Sequence, residues 1–139
     1  MRWWLYALAA AIAASATAIL SKVGVRDTPS NLATAIRTAV VLVIAWGVVF
    51  WSGDHTSLRG IKASSAVFLL LSGVATGVSW LAYFRALQLA PASRVAPVDK
   101  MSLGLTILFS CLFLGESISW KVAVGTVLII AGALLCISK

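Results

Sequence analysis

Long apolar runs alternate with short polar breaks along this chain, and the pattern occurs five times. The runs occupy about residues 3–20, 32–51, 63–87, 94–115 and 120–137, with polar connections near 21–31, 52–62, 88–94 and 115–119. Each run has the length of a helix that crosses a bilayer. Trp3 to Leu20 alone supplies 18 uncharged residues, about 27 Å of helix against a hydrocarbon core of about 30 Å. The pattern predicts an all-α integral membrane protein with five transmembrane helices in a single membrane domain, residues 1–139.

Start signals refine the boundaries. Asn31 is placed to cap the second helix, Ser93 the fourth and Ser119 the fifth. Pro97 then falls in or just past the first turn of the fourth helix, where a missing N–H costs least. A fourth helix that began only after Lys100 would have about 22 Å of uncharged length, too short for the core. Asp99 and Lys100 are therefore expected inside the helix, dipping towards the membrane. The first run also has features of a cleaved leader, with Arg2 ahead of it and Ala14-Ser15-Ala16 at its end. Trp3 and Trp4 suit an interfacial belt better, and the run is read as a retained span.

Composition supports the membrane reading. The chain is 61% hydrophobic and 11% charged, whereas soluble domains carry roughly 25% charged residues. The net charge of +7 comes from bases scattered through loops and segment ends, without the aromatic-basic face of a nucleic-acid binder. Cys111 and Cys136 lie inside apolar runs. No spacing suggests a disulfide framework, a metal site or a cofactor. His55, the single histidine, sits in a polar loop. No nucleophile–base pair or phosphate loop is present, so an enzyme is not expected.

Polar groups inside the runs are the candidate chemistry, because charge in a bilayer is costly and marks a pathway or a packed cluster. Arg37 lies inside the second run, either snorkelling to the headgroups or facing a cavity. On the third helix Ser72, Thr76, Ser79 and Tyr83 fall on one stripe, and Gly73, Gly77, Trp80 and Phe84 on the next. On the fourth, Asp99, Ser102, Thr106 and Ser110 share a face. The hydroxyls either line a polar path or bond back to their own helix. Five spans place Arg37, Arg85, Asp99 and Lys100 in the same half of the membrane. They form either an anion-accepting cluster or an ion pair that holds helices together. Glu116 is expected to brace the short loop that follows it. Gly73-x-x-x-Gly77 permits close helix approach. Counted by side, the loop bases balance: Arg2, Arg59, Lys62 and Lys121 against Lys22, Arg26, Arg94 and Lys139. The positive-inside rule then favours neither orientation.

The sequence Tyr83-Phe84-Arg85-Ala86-Leu87, followed by Pro97, by Phe113-Leu114-Gly115-Glu116 and by Gly125 and Gly132, resembles the EamA branch of the drug/metabolite transporter superfamily. The resemblance spans the whole chain. Most members have ten helices built as two opposed five-helix repeats, so this chain resembles one repeat. That implies a multi-pass protein of the bacterial inner membrane that exports a small-molecule metabolite and works as a pair. Its partner would be a second copy, possible in antiparallel orientation, or a related five-helix chain. Gly125 and Gly132 on the fifth helix are expected to form part of the dimer contact, because glycine lets backbones approach closely, although the same glycines could pack within one subunit. The small multidrug resistance members of the superfamily carry an acid in helix one. This chain has none there, and their proton-coupling carboxylate has no matching position. A non-transporting assembly or accessory subunit is the second reading.

Overall fold

Local backbone chemistry decides where each run starts and stops. The computed structural model describes residues 2–137; Lys139, counted in the charge balance, lies outside them. The elements are α1 (Trp3–Gly24), α2 (Ser30–Ser52), a 3-10 helix (Asp54–Gly60), α3 (Ala63–Leu89), α4 (Ala92–Asp99), α5 (Ser102–Leu114) and α6 (Trp120–Ile137). No strand occurs among the described residues. Five stretches are long and apolar enough to cross a membrane: α1, α2, α3, the stretch Ala92–Leu114, and α6. The protein is an all-α membrane protein with five spans.

Several boundaries differ from the sequence expectation, each for a local reason. Nothing between Ser21 and Val23 breaks a helix, so α1 runs on to Gly24 and takes Lys22 into its last turn, where a cation complements the helix dipole. Asn31 is not the cap of α2. The helix starts at Ser30 behind Pro29, whose ψ of 134° is extended and whose carbonyl accepts the Ala33 N–H at 3.0 Å. Ser93 likewise lies inside α4, behind Pro91. Ser119 does act as a cap: its Oγ accepts the Val122 N–H at 3.4 Å. Gly53 and Gly115 end α2 and α5 with φ of 79° and 66°, a left-handed conformation that only glycine adopts cheaply.

The fourth span is jointed rather than continuous. Backbone N–H groups of Lys100, Met101, Leu103 and Gly104 reach back three residues, to Pro97, Val98, Lys100 and Met101, at 3.0–3.1 Å. That is a 3-10 turn, and inside a helix it marks a hinge or strain. Two features of the sequence favour it. Pro97 lacks an N–H and its ring crowds the carbonyl four residues back. Ser102 Oγ donates to the Asp99 carbonyl at 2.7 Å, in competition with the backbone ladder. Asp99 is the last residue of α4, and Lys100 lies in the joint.

Close contacts group into two units, residues 20–88 and residues 2–19 with 89–137. In the first, Val25, Phe84 and Leu87 are buried together with Ser30 and Thr34. In the second, α6 packs on α4 and α5, and Val95 and Ala133 are buried. Of the glycines there, Gly104 on α5 is the one covered by a neighbouring helix. A Cβ at that position would stand 2.6 Å from Ile130 Cδ1 on α6. Gly73, Gly77, Gly125 and Gly132 make no such approach: no neighbouring atom of the described residues lies within 4 Å of a Cβ built on them. Most large apolar side chains, such as Val43, Leu70 and Leu128, point outwards, as lipid-facing residues do.

Candidate functional site

Residues 20–88 hold a half-buried cation between helices. Ser30 opens α2, and Arg37 follows seven residues later, about 10 Å along the axis. On α3, Trp80 and Phe84 are four residues apart and share a face. The Arg37 Cζ atom lies 4.1 Å from the Trp80 ring centroid and 5.6 Å from that of Phe84. Ring faces carry negative potential, so the two aromatics stabilise the guanidinium by about 0.5–2 kcal/mol, most where water is excluded. Phe84 is only 2% exposed. Neither Asp27 nor Asp54, the carboxylates of this unit, pairs with Arg37.

A cavity of about 290 Å³ opens beside this cation. Arg37, Ser21 and Thr28 contribute its polar wall, and Leu20, Ile36 and Phe84 its apolar wall. The guanidinium supplies a planar fork of donors that matches a carboxylate. The arrangement can hold a small molecule with an anionic head and an apolar body.

The end of α3 is tied to the connection between α1 and α2. Gln88 Nε2 donates to the Thr28 carbonyl at 2.9 Å and to the Val25 carbonyl at 3.4 Å. Arg85 Nη1 donates to Gln88 Oε1 at 3.0 Å. In the opposite direction, Lys22 Nζ donates to the Leu87 carbonyl. Arg85 is exposed, and its partner is an amide one turn along its own helix.

Part of each polar stripe bonds back to its own helix. Thr76 Oγ1 donates to the Ser72 carbonyl at 2.9 Å and Thr106 Oγ1 to the Ser102 carbonyl at 3.0 Å. Ser72, Thr76, Ser79, Ser102 and Thr106 are exposed, and Tyr83 is half-buried with its ring 6.5 Å from that of Phe84. Each hydroxyl oxygen keeps acceptor capacity. Asp99 pairs with its neighbour Lys100 at 3.5 Å, and the two side chains are 41% and 54% exposed. Glu116 accepts a hydrogen bond from Ser110 Oγ, which braces the start of the last loop. No group of His, Cys, Asp and Glu able to hold a metal occurs among the described residues.

Of the candidate residues, Arg37 stands at a cavity, Arg85 is linked to its rim, and Asp99 and Lys100 pair with each other. Trp80, Phe84, Thr28 and Gln88 enter the site without having been singled out for it. Trp80 and Phe84 carried a detectable signal, since their four-residue spacing sets them on one helix face in the same half of the membrane as Arg37. Gln88 is the only glutamine in the chain, and its position between a basic residue and a proline turn was the other available clue.

Comparison with known proteins adds two findings. Residues 1–138 match the EamA-like transporter family. A protein of a Sinorhizobium species, described as an uncharacterized transporter in the cobO 3′ region, is 46% identical over 133 residues, which cover 96% of this chain and 94% of that protein. No solved structure matches.

Proposed function

Because this chain belongs to the EamA-like transporter family, we propose that it exports a small anionic metabolite across the bacterial inner membrane, as a pair of five-helix units. The observation that carries the substrate side is Arg37. A guanidinium about 10 Å inside a span, held on two aromatic rings beside a cavity, is an expensive arrangement in lipid unless it serves a pathway. The relative's description as a transporter favours this reading over an accessory subunit.

The pairing rests on a different observation. Asp99, which ends α4, and Lys100, in the joint of the fourth span, lie about 10 Å from its start at Ala92, yet both side chains are more than a third exposed. Charged groups at that depth face protein or water, not acyl chains. A second five-helix unit supplies that cover and turns half of an inverted-repeat plan into a whole one. Gly125 and Gly132 have open space above them and suit a close contact with the second unit. The balanced loop charges allow that partner to be an antiparallel copy.

Reconstitution into proteoliposomes tests the proposal against a panel of small carboxylates, neutral metabolites and organic cations. The expected result is transport of anionic members, with export in cells that express the protein. Transport of cations alone, or of nothing on the panel, contradicts it.

A further inference from the structure

We infer that Gln88 is a latch that closes the α1–α2 connection over the Arg37 cavity, with Arg85 as the residue that positions it. The inference rests on the reading of that cavity as the substrate path. The connection spans only residues 25–29 between Gly24 and Ser30. Its residue Thr28 forms part of the cavity wall. The Gln88 amide, from the far end of α3, donates to two carbonyls of this connection, Thr28 at 2.9 Å and Val25 at 3.4 Å. Its own oxygen accepts from Arg85 at 3.0 Å, which fixes the amide with its donors towards the connection.

The chemistry suits a reversible closure. A side-chain amide is neutral, so breaking its bonds leaves no unpaired charge. A typical hydrogen bond of this kind contributes about 0.5–1.5 kcal/mol net, well below the cost of unwinding a helix turn. Rotation of one half-buried side chain releases the Val25 and Thr28 carbonyls while α1, α2 and α3 stay formed and Lys22 still holds the end of α1 to the Leu87 carbonyl. Arg85 is exposed and its guanidinium always charged, so an approaching anion can draw it away from Gln88 and loosen the latch. Arg85 thereby acts on the cavity without touching its contents.

Thiol accessibility tests this without any substrate. Cys111 and Cys136 are first replaced by Ala, and Thr28→Cys is introduced as the reporter, which keeps the backbone carbonyl. Maleimide labelling of the purified protein in detergent is then compared for Gln88, Gln88→Leu and Gln88→Glu. The Glu variant is the decisive one. It has the same size and can still pair with Arg85, but an ionised carboxylate donates to no carbonyl. A latch predicts that labelling of position 28 rises about tenfold in both variants. Arg85→Leu is expected to give a smaller rise that does not add to that of Gln88→Leu. A second reporter, Ala133→Cys, sits at a position buried to 3% exposure in the other unit and monitors the fold; its labelling stays slow. Unchanged labelling at 28, a Glu variant that behaves like the parent, or a rise at both reporters overturns the latch. A protein that labels as expected but transports nothing refutes the transport proposal and leaves the latch geometry standing.

Discussion

The guanidinium of Arg37 stacks on the indole of Trp80, with 4.1 Å between Cζ and the ring centroid. The aromatic ring takes the place a carboxylate would occupy in an internal ion pair. It stabilises the cation inside a span without neutralising it, which leaves the positive charge beside the adjoining cavity.

If Arg37 binds the anion as proposed, Trp80 is expected to set affinity by holding the guanidinium in place. Trp80→Leu removes a contribution of about 0.5–2 kcal/mol to the placement of the guanidinium and is expected to weaken binding of an anionic ligand by up to about thirtyfold, with little change for a neutral one. Trp80→Phe keeps a ring face and should retain most of the affinity. Equilibrium binding to the purified protein separates the two variants. Equal weakening for neutral and anionic ligands would assign Trp80 to general packing.

The Asp99–Lys100 pair is expected to matter to the assembly more than to the single chain. Exposed pairs contribute about 0–1 kcal/mol, so Asp99→Asn should leave the melting temperature of detergent-solubilised monomer nearly unchanged. Where a second unit covers the pair, the same substitution leaves Lys100 uncompensated, a change that costs about 3–5 kcal/mol for a buried pair. Dimer content measured by cross-linking in membranes should fall, and Asp99→Asn with Lys100→Gln should recover part of it. Asp54→Asn, in a polar loop, serves as the control. A dimer indifferent to Asp99 would place the interface elsewhere.

Gly104 and Gly125 are expected to respond to alanine in opposite ways. At Gly104 a methyl group meets Ile130 Cδ1 at 2.6 Å; this carbon is the end of a side chain that can turn aside, so the change costs about 0.5–1.5 kcal/mol. Ile130→Val removes the obstructing carbon and should restore the stability of Gly104→Ala. Gly125→Ala and Gly132→Ala meet no atom of the described residues within 4 Å and should leave monomer stability unchanged or raised by up to about 1 kcal/mol of helix propensity, while bulky residues at either position weaken dimerisation. Thermal unfolding in detergent, read beside cross-linking, resolves both halves of this expectation.

The five spans were legible because lipid imposes a length and a polarity that show directly in the residue pattern, as in Trp3 to Leu20. Local endings were less so. Pro29 and Pro91 took the cap positions that Asn31 and Ser93 were expected to fill, since proline's fixed φ starts a helix without a side-chain cap. The joint after Asp99 depends on several bonds reaching back three residues, which no single residue type announces. The candidate site was legible only in part. Arg37 stood out because a charge inside an apolar run is rare. Its partners did not, because Trp80 and Phe84 are ordinary in a membrane helix until the fold turns them towards a cation. Arg85 was grouped with Arg37 by depth alone. Its contact with Gln88 is ordinary i, i+3 spacing on one helix, but it requires α3 to run on to Leu89, past the end expected at residue 87.

The most direct test of the account compares a carboxylate with its own amide. The reconstituted protein is assayed with matched pairs of small ligands, such as phenylacetate and phenylacetamide or hexanoate and hexanamide, and the assays are repeated with Arg37→Gln and Arg37→Lys. A charged hydrogen bond contributes about 1.5–3 kcal/mol, so the parent protein should prefer each acid over its amide by roughly tenfold to a hundredfold. Arg37→Gln should abolish that preference, and Arg37→Lys should keep part of it, because an ammonium retains the charge but not the fork. Acid and amide handled alike by the parent protein, or an acid preference that survives Arg37→Gln, contradicts the assignment of Arg37 as the anion-binding group of the transport path.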